Sequence, residues 1–331
     1  MTRLTRLQEE SSIHVIQQGD NRYPASLADR LEADASSWGG LGSDPKFPER
    51  RHYVIVVARC LWFKEREPVP DYFVPMNPRM AYHGANMKTL HRVKGISHDL
   101  IITQQGNTLT LWSGSGIRHT VLDLDAPQRP GLEYARNTLL ALAFSPEAES
   151  ILLLGLGGGS MYHMLRRTCP LATIEAVEID PAVVDLARRY FQISLTNNFI
   201  IHLGDAADYV SSTQKSYNIV ILDAYLGDTM EDRLTTQEFF SNVSQRLRLG
   251  GVLVVNWVPG NAQRLRKTIE VLEETVGKVW TLAGYHSHNC LLFATARKIT
   301  HKFLVEEAGK IEAHAPDTRS VARLVRYLRT A

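Results

Sequence analysis

From about residue 150 the chain alternates short apolar runs with amphipathic stretches. SILLLGLGGG, TIEAVEID, NFIIHLGD, YNIVILDAY and GVLVVNWV read as five strands, and VWTLAGY and CLLFATAR as a late pair. The early runs are apolar throughout rather than alternating, as parallel strands buried on both faces require. Between them, SMYHMLRRT, PAVVDLARRYF, TTQEFFSNVSQRLR and NAQRLRKTIEVLEETVG carry helical spacing. Asp180-Pro181 marks a helix start, an N-cap followed by proline at the first position, and Gly250-Gly251 marks a helix end. Strands joined by helices predict an α/β fold: a doubly wound, mostly parallel sheet of seven strands.

The chain before this reads differently. DLIITQQGNTLTLWSG alternates around Gly106-Asn107 and predicts a hairpin, to which GIRHTVLDLDAP adds a further strand. LEYARNTLLALAF has helical spacing and Pro146 closes it. The first 95 residues are rich in loop signals, and KEREPVPDYFVPMNPRMAYHG carries too many prolines for a long helix or a central strand. The divisions read from the pattern are 1–95, an N-terminal extension; 96–130, a small β unit; 131–300, the α/β domain; and 301–331, a helical tail. In that tail Val321, Leu324, Val325 and Leu328 share a helical face.

Ligands of such sheets bind outside the carboxyl ends of the strands, and four ends here carry candidate chemistry. The first ends in Gly155, Gly157 and Gly159, where missing Cβ atoms admit a ligand and the following helix offers N–H groups. The second ends in Glu178, about 20 residues on, where a carboxylate can accept both ribose hydroxyls. Asp180 is explained more simply as the helix cap. The third ends in Asp205, suited to an adenine amino group or to capping the next helix, and the fourth in Asp223, followed by Tyr225. The GxGxxG spacing of dinucleotide sites gives Gly155, Gly157 and Ser160 with two extra glycines. With Gly204-Asp205 and the helix before the first strand, this favours an S-adenosyl ligand.

Composition narrows the function classes. Lys plus Arg number 37 against 35 Asp plus Glu, so no nucleic-acid partner or anionic surface is implied. Cys60, Cys169 and Cys290 are scattered, which predicts neither a disulfide framework nor a metal site and fits a cytoplasmic protein. No apolar run spans a membrane, and the polar first residues are not a secretory signal. His286 and His288 lack an evident third ligand, so no metal is expected.

The stretch from about 98 to 297 resembles the spermidine synthase (polyamine aminopropyltransferase) family, closest to bacterial spermidine synthase-like chains with a methyltransferase-like Rossmann fold. EYARNTLLALAFSPEAESILLLGLGGGS, AVEIDPAVVDLARRYF, HLGDAADYV and YNIVILDAYLGD carry the resemblance. It implies aminopropyl transfer from decarboxylated S-adenosylmethionine to a small amine or polyamine. Asp223 would deprotonate the amine, Glu178 would hold the ribose and Asp205 the adenine, and Tyr134 would line the pocket, beside Tyr225. Asp228 stands in an acidic loop suited to a cationic substrate. Gly158, Leu226 and Ala135 replace an aspartate, a second aspartate and a glutamine of the family pattern. A methyltransferase using S-adenosylmethionine itself, or a nucleotide-binding protein without catalysis, are the alternatives. The family resemblance also implies an oligomer, a homodimer or a tetramer.

Overall fold

The computed structural model describes residues 86–331, apart from 228, 259–261, 286, 288 and 316–320. The N-terminal segment before residue 86, Asp228 and the pair His286/His288 therefore lie outside the described residues.

Two sheets build this part of the chain. Strands β1 (Lys88–Lys94), β2 (Asp99–Gln105), β3 (Thr108–Ser113) and β4 (Arg118–Asp123) form an antiparallel sheet in sequence order. It is larger than the hairpin pattern implied and begins at Lys88. The two-residue turn between β2 and β3 requires Gly106 at φ 58°, a left-handed conformation that glycine adopts freely. Leu100, Ile102, Leu109, Leu111 and Leu122 cover one face and pack on Val183, Leu186 and Phe191, in and just beyond the helix Pro181–Tyr190.

The second sheet contains β5 (Ser150–Leu154), β6 (Thr173–Glu178), β7 (Phe199–Leu203), β8 (Tyr217–Leu222), β9 (Leu247–Trp257), β10 (Lys278–Ala283), β11 (Cys290–Thr295) and β12 (Arg329–Thr330). Its order is β12-β10-β11-β9-β8-β5-β6-β7. Strands β5 to β9 are parallel, and the late strands join antiparallel. The central runs are buried on both faces, with Ile151, Leu154, Val220, Leu222, Val254 and Val255 all at 0% exposure. The order reverses at β5, which lies between β8 and β6, so the crevice that such a reversal opens falls at the tips of β5 and β8.

Three local readings differ from the sequence pattern. β9 starts at Leu247 and runs through Gly250-Gly251, because Leu247 already pairs with Tyr217; an irregular register and φ 77° at Gly250 carry the chain onward. The stretch 132–144 is Glu133–Asn137, a 3-10 turn Thr138–Leu140 and Ala141–Phe144 rather than one continuous helix. The tail forms a helix His301–His314 and a shorter one, Val321–Val325, and then adds β12 as an eighth, two-residue strand. Val321, Val325 and Leu328 are buried in the main core, with Leu324 partly so.

Candidate functional site

The glycine turn after β5 is tied into the protein on all sides. Gly155 has φ 102°, and a Cβ there would lie 2.2 Å from the Asp223 carbonyl oxygen. Only glycine lets the tips of β5 and β8 approach this closely. Gly157 (φ 52°) and Gly159 (φ 75°) complete the turn. The N–H of Gly158 donates to Thr120 Oγ1 of β4 at 2.8 Å, and that of Gly159 to the Leu156 carbonyl at 2.9 Å. Leu156 N–H donates to Glu178 at 3.0 Å, and Gly157 N–H serves the same carboxylate. The amides of Leu156, Gly157, Gly158 and Gly159 are thus held within the protein, ahead of the helix that starts at Ser160.

Glu178 organises this turn from the tip of β6. It also accepts from Asp180 N–H at 3.0 Å. Burial pushes its carboxyl above the usual range, while the backbone donors oppose that shift. A carboxylate has about four acceptor positions, so three backbone donors leave it capacity for a hydroxyl. Asp180 caps the helix Pro181–Tyr190 through Ala182 N–H at 2.9 Å, and its other oxygen accepts from Ile96 N–H at 2.7 Å. Asp205 caps the helix Ala206–Ser212 through Ala207 and Asp208 N–H at 2.8 and 3.0 Å. Its free oxygen lies 3.4 Å from Arg233 Nη1, so any adenine amino group at this tip shares that oxygen with a guanidinium.

At the tip of β8 the sequence-predicted Asp223, Tyr134 and Tyr225 come together. Asp223 Oδ2 accepts from the Tyr134 hydroxyl at 3.2 Å, and Oδ1 from Asn256 Nδ2 at 2.7 Å. Burial pushes the Asp223 carboxyl up to about 7, with the Glu178 charge adding to the rise and the two donors opposing it. Burial, then the Asp223 charge, raises the Tyr134 phenol well above its ordinary value. The Tyr225 hydroxyl donates to the Asn256 carbonyl at 2.5 Å and accepts from Val258 N–H at 3.0 Å. Asn256 therefore holds the loop after β8 by both side chain and backbone. The small sheet reaches the same loop: His98 Nδ1 lies 3.7 Å from the Cβ position of Gly227, and the His98 ring stacks on His119.

Thr120, Asn256 and Asn289, which donates to Asn256 at 2.9 Å, are absent from the residues expected from sequence. Asn256 did leave a signal, a polar residue inside the apolar run GVLVVNWV, where burial demands hydrogen-bond partners. Thr120 looks like any β-branched strand residue. Among the described residues no group of three or more His, Cys, Asp or Glu is arranged to hold a metal.

Residues 138–285 match the family model of the spermine/spermidine synthase domain. That match is a similarity over the parallel-sheet part of the chain. A polyamine aminopropyltransferase of Vibrio vulnificus is 34% identical over 174 residues, which cover 50% of this chain and 58% of that protein. The chain thus spans less than two thirds of that relative's length. A probable spermidine synthase from Corynebacterium glutamicum superposes with a TM-score of 0.59 at 19% identity, over 70% of this chain and 93% of the other. Human Methyltransferase-like protein 13, in complex with SAH, superposes with a TM-score of 0.51 at 22% identity, covering 60% of this chain and 94% of the other. The matched residues include the glycine turn, Glu178, Asp205, Asp223 and Asn256.

Proposed function

We propose that this chain transfers an aminopropyl group from decarboxylated S-adenosylmethionine to a small cationic amine or polyamine. The observation that carries the reading is the Asp223 carboxyl, half-buried at the tip of β8 against the glycine turn and poised near neutrality. The amine nitrogen forms a bond to the carbon beside the sulfonium as the carbon–sulfur bond breaks. The bonding electrons return to sulfur, which leaves as a neutral thioether. Asp223 takes the proton that the attacking ammonium must lose, a role for which a group titrating near the working pH is suited. Tyr134 and Asn256 aim its two oxygens. Glu178 accepts from a ribose hydroxyl with its remaining acceptor position, and Asp205 from the adenine edge. Tyr225 walls the acceptor side, with Asp228 attracting the cation from its acidic loop.

A second reading, methyl transfer from S-adenosylmethionine, is favoured by Gly158. The family resemblance implies a carboxylate at this position for the donor's amine. Here a Cβ would meet Thr120 Cγ2 at 2.8 Å and Phe191 Cδ1 at 2.9 Å, which leaves no room for one. Calorimetry with both nucleotides, each followed by putrescine or spermidine, separates the readings. Tighter binding of the decarboxylated donor and amine-dependent turnover support aminopropyl transfer. Preference for S-adenosylmethionine supports the methyl donor, and no nucleotide binding removes both.

A further inference from the structure

Asn256 is 2% exposed and directly follows the apolar run Val252–Val255 of β9. Its Nδ2 donates to Asp223 Oδ1 at 2.7 Å, and its Oδ1 accepts from Asn289 Nδ2 at 2.9 Å. A side-chain amide donates at one end and accepts at the other, so only one of its two orientations satisfies both neighbours. With Asn289 donating, Asn256 turns Nδ2 toward Asp223. Flipped, it would set Oδ1 against a carboxylate oxygen, an arrangement that holds only if Asp223 carries a proton. The backbone of Asn289 is held where its side chain reaches Asn256, since its main-chain carbonyl accepts from Gly284 N–H at 2.8 Å.

We propose that Asn289 is a positioning residue, whose amide locks Asn256 in the donor orientation and so keeps Asp223 an ionised acceptor for the substrate proton. The inference deepens the reading of Asp223 as proton acceptor and rests on it. Other groups also face Asp223. The Tyr134 hydroxyl, from the helix Glu133–Asn137, lies on Oδ2, Glu178 acts from the tip of β6, and Tyr225 belongs to the same loop. Arg264 acts on Tyr225 from the helix Ala262–Thr275. No hydrogen bond links Tyr134, Glu178 or Arg264 directly to Asn256 or Asn289 among those described. Of the influences that favour the Asp223 carboxylate, donation from Asn256 is the largest.

The test is a carbon-13 titration of the side-chain carboxyls in the full chain, with the Asp223 signal assigned by its loss in Asp223→Asn. Asn289→Leu keeps the volume and removes the donor without adding charge. Its expected effect is an upward move of the Asp223 titration by about half to one pH unit, the scale of one neutral hydrogen bond. Asn289→Gln, which still donates, restores most of the wild-type value. The acid limb of kcat/KM moves in parallel, while donor affinity in calorimetry stays unchanged. Should Asn289→Leu fail to fold, Asn289→Ala carries the same expectation. An unmoved Asp223 titration in a folded variant, or activity lowered equally at every pH, overturns the inference. Full turnover by Asp223→Asn overturns the reading beneath it instead, and the titration shift is scored independently.

Discussion

Replacing Asp223 with Asn removes a half-buried carboxyl at the β8 tip that can take a proton near neutrality. Turnover falls by about a hundredfold to ten-thousandfold, the range for loss of a general base. Nucleotide binding persists, because the glycine turn and Glu178 do not depend on Asp223 ionisation. Stability carries a second signature. The Asp223 carboxyl sits at about 7 in the folded chain, against about 4 when unfolded. Between those values the native state binds more protons than the unfolded one. Stability therefore falls as pH rises through that window and levels off above it. Glu178, also raised by burial, acts in the same direction. Thermal unfolding measured from mildly acid to neutral pH should show this decline in wild type and a shallower one in Asp223→Asn. Equal slopes would mean that Asp223 is not raised.

The elements meet through the glycine turn, and single atoms there have outsized effects. Gly155→Ala must hold alanine at φ 102° with its Cβ 2.2 Å from the Asp223 carbonyl. Strain of about 1–3 kcal/mol is joined by displacement of β8. A lowered denaturation midpoint with lost nucleotide binding is expected, and a midpoint within error of wild type would contradict the geometry. Thr120→Val preserves shape and leaves the buried Gly158 N–H without its acceptor, a loss of about 1–3 kcal/mol readable in urea unfolding. At this scale much was legible in advance. The apolar runs located β5 to β8 and the late pair, and Asp180-Pro181 located a capped helix. The start of β9 was hidden, because LRLGG reads as a helix end when pairing with Tyr217 is unknown. The break at Thr138–Leu140 was hidden too, since its residues keep helical spacing and are buried whichever helix type forms.

Across the described part of the molecule, the antiparallel sheet meets the loops at the tips of the parallel strands β5, β6 and β8. Thr120 holds Gly158, Ile96 N–H holds Asp180, and His98 lies against Gly227, so the small sheet buttresses both loops that flank the tips of β5 and β8. The carboxylates at successive strand tips could be read from sequence because each follows an apolar run directly. The contacts that set their protonation could not, because Asn256 and Asn289 meet Asp223 only through long-range pairing of β9 with β8 and β11. The most direct test of the whole account is methylthioadenosine release from decarboxylated S-adenosylmethionine, with putrescine or spermidine present, by wild type and Asp223→Asn across neutrality. The account predicts amine-dependent release by wild type that rises with pH through about 7, and at least about a hundredfold less from the variant. Equal release from both proteins, or wild-type release without dependence on the amine, would contradict it.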